Sequence, residues 1–143
     1  MAAPKAVLDQ INIVVGDVAA ASAFYRLLGL DIDEPPAPWA DHHRTAHGDT
    51  PVDVDVDSID FASQWNRGWP GGSGVVIGFR VDSRDGVDAL HAELIAAGHE
   101  SQQAPYDAFW GARYAIVADP AGNAVGLMSP IDPAMRTAPP QPE

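Results

Sequence analysis

Residues 8–17, with the sequence LDQINIVVGD, and residues 74–82, GVVIGFRVD, decide the fold of this chain. Both stretches are rich in branched apolar residues, which is typical of buried strands. A helical pattern follows each stretch and ends at a glycine, Gly29 in the first copy and Gly98 in the second. Glycine is favoured there because it adopts the left-handed conformation after a helix at the lowest cost. The repeat predicts one domain made of two similar halves.

Further strands are predicted after each helix. Residues 52–57 alternate valine and aspartate, and successive side chains of a strand point to opposite faces, so the valines face one side and the aspartates the other. In the second half, residues 119–123 have strong turn chemistry and join a strand at 113–118 to a returning strand at 124–129. The order of elements is therefore roughly β-α-β-β-β, twice.

Three segments lack a regular pattern. The glycine-rich residues 66–74 predict a connector between the halves, and residues 101–107, which contain Pro105, predict an irregular segment. Residues 131–143 contain several prolines and predict a disordered tail.

Composition excludes several classes of function. The chain has 143 residues, a net charge of −12 and no cysteine. Nucleic acids and anionic membrane surfaces bind clustered Lys and Arg, so neither is an expected partner. The lack of cysteine excludes disulfides, thiolate metal sites and a cysteine nucleophile. The sequence has no membrane-spanning apolar run and no signal-peptide pattern at its first residues, so we expect a cytoplasmic location.

Four short motifs carry a resemblance to a known family. Residues 8–11 (LDQI) and 24–30 (FYRLLGL) resemble the opening of the vicinal oxygen chelate superfamily, which includes glyoxalase I, extradiol dioxygenases, fosfomycin-resistance enzymes and bleomycin-resistance proteins. Residues 79–82 (FRVD) and 119–123 (DPAGN) resemble the second half of the same pattern. The resemblance implies an α+β fold in which two βαβββ modules form a cupped, mixed β-sheet cleft with helices on the outer face.

The resemblance also implies how the chain is divided. It covers nearly everything outside the tail and implies a single domain at residues 1–130, with module one at about 6–65 and module two at about 74–130. It further implies a homodimer, and open sheets need their faces covered. Whether the modules pair within one chain or swap between chains stays open.

In metal-dependent members of the family, the resemblance implies a divalent metal. It is held by one side chain of the first strand and one carboxylate of the last strand in each module. Gln10 falls on the first-strand position of module one, whereas Val76 and Gly126 fall on the two positions of module two and offer no donor atom. The carboxylate of module one is one of Asp53, Asp55 and Asp57. Divalent transition metals take three or four protein donors, so we expect no metal cofactor.

Strand alternation indicates which side chains line the cleft. If Gln10 faces it, Leu8 on the same strand does as well, and the floor includes the small residues Gly78 and Ala124. Small floor residues leave volume for a ligand, or for an aromatic side chain from elsewhere. The predicted ligand-binding residues are Gln10, Asn12, Asp55, Asp57, Trp65, Tyr106, Trp110, Arg113, Gly126 and Met128.

Crowded carboxylates raise one another's pKa, so a proton, a cation or an arginine should compensate the aspartates of residues 53–57. Arg44, Arg80 and Arg113 are the candidates. His42 and His43 are adjacent, so at most one of them faces the cleft, and both are expected at the surface.

Two main hypotheses about function follow. The first is a metal-free small-molecule-binding protein that resembles the drug-sequestering bleomycin-resistance proteins, and hence an antibiotic-resistance role. A cationic or aromatic ligand would stack on Trp65 or Trp110 and hydrogen-bond Gln10, with the aspartates balancing its charge. The alternative is a lyase, isomerase or dioxygenase whose divalent metal is held by Gln10, Asp55 and His43. A metal-free enzyme with an aspartate or histidine as general base is a third hypothesis.

Overall fold

The structure is a computed structural model that describes residues 5–48 and 51–140. Its strands are β1 (Val7–Val15), β2 (Asp31–Ile32), β3 (His43–His47), β4 (Asp53–Ser58), β5 (Gly74–Arg80), β6 (Ser101–Asp107), β7 (Arg113–Ala118) and β8 (Ala124–Met128). Its helices are α1 (Val18–Leu27), α2 (Ile59–Trp65) and α3 (Arg84–Ala96). Two short 3-10 turns lie at Trp39–Asp41 and Pro133–Met135.

All eight strands form one open, mixed sheet in the order β2-β3-β4-β1-β5-β8-β7-β6. In the first half, β1 runs parallel to β4, and in the second half β5 runs parallel to β8. The halves meet where β1 pairs with β5 in antiparallel orientation, so the two halves join within one chain. The predicted α+β fold of two βαβββ modules is confirmed.

Helices α1 and α3 cover the outer, convex face of the sheet. Asp17 caps α1 by accepting a hydrogen bond from the Ala20 N–H, and Ser83 caps α3 by accepting one from the Gly86 N–H. The buried face of α1 packs on Val56 of β4, so the valines of residues 52–57 face this helix. The aspartates between them therefore face the opposite, concave side.

Helix α2 lies on the concave face, and the sequence analysis missed it. Phe61, Ala62 and Trp65 of this helix are buried against the sheet residues Val14 and Val76. A signal was present, because Ser58 precedes the helix and accepts a hydrogen bond from the Phe61 N–H, as an N-cap serine does. This helix fills the concave face with aromatic side chains.

Residues 101–107 form strand β6, so the prediction of an irregular segment was wrong. The strand lies at the edge of the sheet and pairs only with β7, with two shifts in register. Proline lacks a backbone N–H and is tolerated in an edge strand, which explains why Pro105 does not break it.

A shift in the register of β1 changes the expected floor of the cleft. Leu8 pairs with Phe79, while Gln10 pairs with Gly78, so one extra residue is inserted at Asp9. Phe79 packs towards α3, and directly opposite residues share a face, so Leu8 lies on the convex side. The expectation that Leu8 shares the face of Gln10 was wrong for this reason.

Residues 131–140 have more contacts than their proline content predicts. The backbone N–H of Asp132 donates to the Gly111 carbonyl and that of Thr137 donates to the Phe109 carbonyl, both at 2.9 Å. The last part of the predicted disordered tail, residues 141–143, lies outside the described residues. Across residues 5–48 and 51–140, no helix is long and apolar enough to cross a membrane.

Candidate ligand-binding cleft

Four polar side chains of module one meet on the concave face. The Gln10 side-chain amide donates to Asp55 Oδ2 at 2.6 Å, and the Asn12 amide donates to Asp57 Oδ2 at 2.8 Å. The parallel pairing of β1 with β4 puts both amides beside the aspartate face of the valine–aspartate repeat. Four of the predicted ligand-binding residues are thus in contact.

His43 supplies the positive partner of this cluster. It lies opposite Asp57 in the β3–β4 pairing, and its Nδ1 donates to Asp57 Oδ1 at 2.5 Å. The Asp57 side chain is 1% exposed and that of His43 is 35% exposed. Burial alone would lower the pKa of His43, but the hydrogen bond and the charge of Asp57 outweigh it and raise the pKa to about 9. His43 is therefore protonated at neutral pH.

The expected arginine partners are engaged elsewhere. The Arg44 guanidinium donates to the Ala40 carbonyl, and Arg80 pairs with Asp9. Arg113 pairs with Asp88 of α3 on the convex side. The expectation of an arginine was therefore wrong because histidine, which lies on the neighbouring strand, is in direct register with the buried carboxylate.

Both histidines were expected at the surface, which was wrong for His42, whereas His43 is half-buried. His42 is buried, and its Nδ1 lies 2.8 Å from the Ser58 hydroxyl. Strand alternation does send the two side chains to different partners, since His43 contacts Asp57 instead. Two adjacent histidines in a sequence do not reveal which hydrogen-bond partners the neighbouring strands bring to them.

Asp55 is the carboxylate without a full positive partner. Burial raises its pKa to about 6, although the nearby His43 charge and a hydrogen bond from Thr45 lower it in part. The Thr45 hydroxyl also lies 3.5 Å from His43 Nε2 and so links the two halves of the cluster. We call Gln10, Asn12, His43, Thr45, Asp55 and Asp57 the polar network. At neutral pH it carries one net negative charge.

Module two places apolar groups at the corresponding positions. Val76 is fully buried, and a Cβ atom on Gly126 would come within 2.9 Å of the Tyr114 hydroxyl. The ring of Tyr114 therefore occupies the space that the missing side chain leaves. The small floor residues were expected to leave room either for a ligand or for an aromatic side chain. At Gly126 the ring of Tyr114 takes that room. Burial raises the pKa of Tyr114, so its hydroxyl stays protonated.

Five aromatic side chains lie around Tyr114, and with it they form what we call the aromatic layer. They are Phe61, Trp65, Tyr106, Phe109 and Trp110. The ring centroids of Trp110 and Tyr114 are 5.2 Å apart, and those of Trp65 and Tyr114 are 6.2 Å apart, all in edge-to-face contact. The Trp110 indole N–H also points at the Met128 sulfur, at 3.2 Å. On the other side, Phe61 lies with its ring centroid 5.5 Å from that of His43. The layer thus faces the polar network directly.

The predicted ligand-binding residues fall into three places. The first group belongs to the polar network, and it consists of Gln10, Asn12, Asp55 and Asp57. The second group surrounds Tyr114 in the aromatic layer, and it consists of Trp65, Tyr106, Trp110, Gly126 and Met128. Arg113 alone lies on the convex face, because it is one residue away from the inward-facing Tyr114.

Sequence reasoning missed three contributors, Thr45, Phe61 and Tyr114, and named His43 only as a metal ligand. Tyr114 could have been found from strand alternation, since position 114 and position 128 lie opposite each other in the hairpin that residues 119–123 predict. Phe61 required the missed helix α2. Thr45 had no signal of its own.

Open space in the cleft is divided unevenly. Between the polar network and Tyr114 there is a cavity of only about 10 Å³, lined by residues that include Gln10, Asn12 and Gly78. That volume is the size of one water molecule. A larger space of about 220 Å³, which we call the aromatic groove, lies farther out. Its lining consists of Phe61, Gln64, Trp65, Tyr106, Asp107, Phe109, Thr137 and Pro140.

The donor atoms do not fit a divalent metal. Within residues 5–48 and 51–140, no three His, Asp or Glu side chains form a group that would hold a metal ion. The amide of Gln10 is engaged with Asp55, and His43 Nδ1 is engaged with Asp57. The positions in module two that would complete a site are Val76 and Gly126, which have no donor. The absence of a metal cofactor stays a prediction.

Comparison with known proteins adds the family. The profile described as Glyoxalase/Bleomycin resistance protein/Dioxygenase superfamily matches residues 7–127. No curated protein matches this sequence. Several solved structures share the fold at low identity, and such identities show the fold alone.

Three of these structures illustrate the range of chemistry. The NAD-dependent benzaldehyde dehydrogenase from Legionella pneumophila has a TM-score of 0.60 and 18% identity, over 84% of this chain and 96% of that chain. The Mn(II)-bound glyoxalase from Novosphingobium aromaticivorans has a TM-score of 0.60 and 23% identity, over 86% of this chain and 38% of that chain. The methylmalonyl-CoA epimerase from Mycobacterium tuberculosis has a TM-score of 0.59 and 20% identity, over 92% and 94%.

Proposed function

We propose that this chain, which belongs to the Glyoxalase/Bleomycin resistance protein/Dioxygenase superfamily, binds a small organic molecule between the polar network and the aromatic layer, without a metal. One observation carries the proposal. A half-buried polar cluster with one net negative charge faces a layer of aromatic rings across a single cleft. Sequestration of a drug-like molecule, as in bleomycin-resistance proteins, is the role that we propose for it.

The charge of the polar network supports a cationic ligand. The His43 imidazolium is hydrogen-bonded to Asp57, whereas the hydrogen bonds to Asp55 come from the uncharged Gln10 amide and Thr45 hydroxyl. A ligand cation beside Asp55 would favour the charged form of this carboxylate, which burial now disfavours. The rings of Phe61 and Trp110 supply flat surfaces for an aromatic body and for cation–π contact.

Binding at this place requires the aromatic layer to move. The cavity beside Gln10 holds about 10 Å³, far less than an organic molecule needs. Phe61 and Trp65 of α2 and the residues 108–112, which carry Phe109 and Trp110, are the parts of the layer outside the sheet. We expect these rings to separate from Tyr114 when a ligand enters.

A matched pair of probes tests the proposal. Tryptamine and indole-3-acetate share an indole ring but carry opposite charges, and each is titrated by ligand-observed NMR at pH 7.5. We expect tryptamine to bind at least several-fold more tightly, and Asp55→Asn to abolish that preference. Asp53→Asn is the control, because it removes a charge from an exposed position of the same strand. An unchanged preference for tryptamine in Asp55→Asn would overturn the proposed site. Tryptophan fluorescence would then be used to screen cationic natural products for other ligands.

The metal-dependent alternative is tested separately. A lyase, isomerase or dioxygenase with Gln10, Asp55 and His43 as ligands predicts about one equivalent of divalent metal in protein purified without a His-tag or chelator. We expect none, and none taken up on dialysis, because the donor set is incomplete. Stoichiometric metal by elemental analysis would replace the binding proposal with the enzymatic one.

We also propose a homodimer, together with a cytoplasmic location. The cross-strand pairs Ile11–Ile77 and Ile13–Val75 face the convex side between α1 and α3, and Val75 is 47% and Ile77 38% exposed. Such an apolar stripe supports an interface between copies. Light scattering should give the mass of a dimer, and Ile77→Glu should give a monomer. The matched control is Leu27→Glu, at an exposed position of α1, and a monomeric native protein would contradict the proposal.

A further inference from the structure

The proline-rich residues 131–140, which we call the strap, form one wall of the aromatic groove. Thr137 and Pro140 of the strap line the groove together with Phe61, Trp65 and Phe109. The match to the family profile ends at residue 127, before the strap begins.

Two backbone hydrogen bonds attach the strap to the loop between β6 and β7. The Asp132 N–H donates to Gly111 and the Thr137 N–H donates to Phe109, so the strap crosses the loop that carries two rings of the aromatic layer. Gly111 has a φ of +97°, and a Cβ atom there would come within 2.5 Å of the Asp132 carbonyl oxygen. Only glycine permits this approach, which indicates that strap and loop are built to lie together.

The lining of the groove specifies an uncharged, flat ligand. Four of its eight lining residues are aromatic (Phe61, Trp65, Tyr106 and Phe109), and Gln64 and Thr137 add uncharged polar groups. The one carboxylate, Asp107, is already paired with Arg84 and Arg113, so it leaves no charge to balance. Stacking on the aromatic rings and hydrogen bonds to Gln64 or Thr137 are the interactions that remain.

We propose that the aromatic groove is a second binding site, for a flat, uncharged aromatic molecule, and that the strap closes over the bound molecule. The site is separate from the polar network, because the two share no lining residue. Only Phe61 touches both, with its ring beside His43. The groove shares Phe61 and Phe109 with the rings that move for the cationic ligand, so the two proposals are told apart at Asp55, which does not line the groove.

The experiment uses two probes with one ring system. N-Phenyl-1-naphthylamine is uncharged and fluoresces in apolar surroundings, and 1-anilinonaphthalene-8-sulfonate adds a negative charge. We expect the uncharged probe to bind the full-length chain at one site, and the anion to bind at least ten-fold more weakly because the chain carries a net charge of −12. Equal binding of both probes would indicate non-specific adsorption and overturn the proposal.

Variants of the strap identify the site. Truncation after Pro130 should weaken binding of the uncharged probe at least five-fold, and so should Thr137→Pro, which removes the N–H that bonds Phe109. The matched control Thr137→Ala keeps that N–H and should bind as the native chain does. If the truncated chain does not fold, the comparison of Thr137→Pro with Thr137→Ala tests the proposal by itself. Equal affinity of the two Thr137 variants for the uncharged probe would overturn the proposed role of the strap in binding.

The two sites are distinguished by Asp55→Asn. This substitution should leave the affinity for the uncharged probe unchanged, because Asp55 does not line the groove. Loss of the preference for tryptamine with retained probe binding supports both proposals. Loss of the probe in Asp55→Asn would overturn the separate groove and assign both ligands to one site.

Discussion

The two modules have the same strand pairing but opposite chemistry on their concave faces. In module one, His43 lies opposite Asp57, and in module two Tyr114 lies opposite Met128 at the equivalent place in the β7–β8 pairing. Both helices that follow the first strands begin at a capping side chain, Asp17 or Ser83. The backbone repeat thus survives while one half is polar and the other is apolar. The difference teaches that a repeated fold does not require a repeated site.

The comparison also explains how the cleft is stabilised. Module one buries charge and satisfies it with His43 and two amides. Module two has no charge to satisfy, because Gly126 and Val76 leave room that Tyr114 fills with its ring. The two halves therefore fill equivalent positions of the cleft with different side chains. A side chain moved from one half to the equivalent position of the other should destabilise the fold.

The largest effect is expected when module two is given the carboxylate of module one. Gly126→Asp places a charged side chain against the buried ring of Tyr114, where a Cβ atom alone comes within 2.9 Å of the hydroxyl. Overpacking and burial of an unpaired charge should lower the free energy of unfolding by roughly 4 kcal/mol or more. Urea denaturation measures this free energy of unfolding, and Ala121→Asp, which adds the same side chain in an exposed turn, is the control. A loss below about 1 kcal/mol would contradict the packing of Tyr114 on Gly126.

The next effect is expected when module one loses its cation. His43→Ala leaves the buried Asp57 with the Asn12 amide as its remaining side-chain partner. We expect a loss of about 3 kcal/mol, since removing one partner of a buried ion pair leaves an uncompensated charge. The double variant with Asp57→Asn should recover more than half of the loss. No recovery would mean that His43 acts by packing on Phe61 and not by its charge.

A smaller effect is expected in the pH dependence of stability. The folded-state pKa of Asp55 is about 6, above its ordinary value of 3.8, so the folded state binds this proton more tightly. As pH rises from about 4 to 6, the titration of Asp55 therefore lowers the free energy of unfolding by about 3 kcal/mol. For His43, with a pKa of about 9, the stabilisation is full below pH 6.5 and is lost as pH rises through 9.

Difference curves isolate the two groups. Urea denaturation from pH 4 to 10 is compared between the native chain, Asp55→Asn and His43→Ala. Asp55→Asn should remove the decline between pH 4 and 6, and His43→Ala should remove the decline between pH 6.5 and 9. Asp53→Asn, at an exposed position, should leave both declines in place, because the Asp53 charge is the smallest contribution to the raised pKa of Asp55. Curves parallel to the native one in all three variants would contradict the burial of this cluster.

The smallest effect is expected at Arg113, which marks the other face of the sheet. Its guanidinium pairs with Asp88 and Asp107 near the surface, so Arg113→Ala should cost no more than about 1 kcal/mol. Tryptamine affinity should stay within a factor of two, because the side chain points away from the cleft. A large loss of tryptamine binding in isothermal titration would place Arg113 in the site after all.

Much of the fold was predictable because local patterns and global packing agree. The strand at residues 52–57 and the helix caps follow from alternation and from capping chemistry that a single sequence displays. Helix α2 and strand β6 were missed, because a short helix after a strand and a proline in an edge strand both override the simple local signals.

The sequence by itself determined the repeat, the α+β fold, the family and the loss of two metal donors in module two. Each of these depends on residue type and spacing along one strand or helix. Only the tertiary structure decided that His43 pairs with Asp57, that Tyr114 fills the place above Gly126 and that the strap lies on the β6–β7 loop. These contacts join residues distant in the chain, and strand register, a one-residue bulge and side-chain volume decide them together.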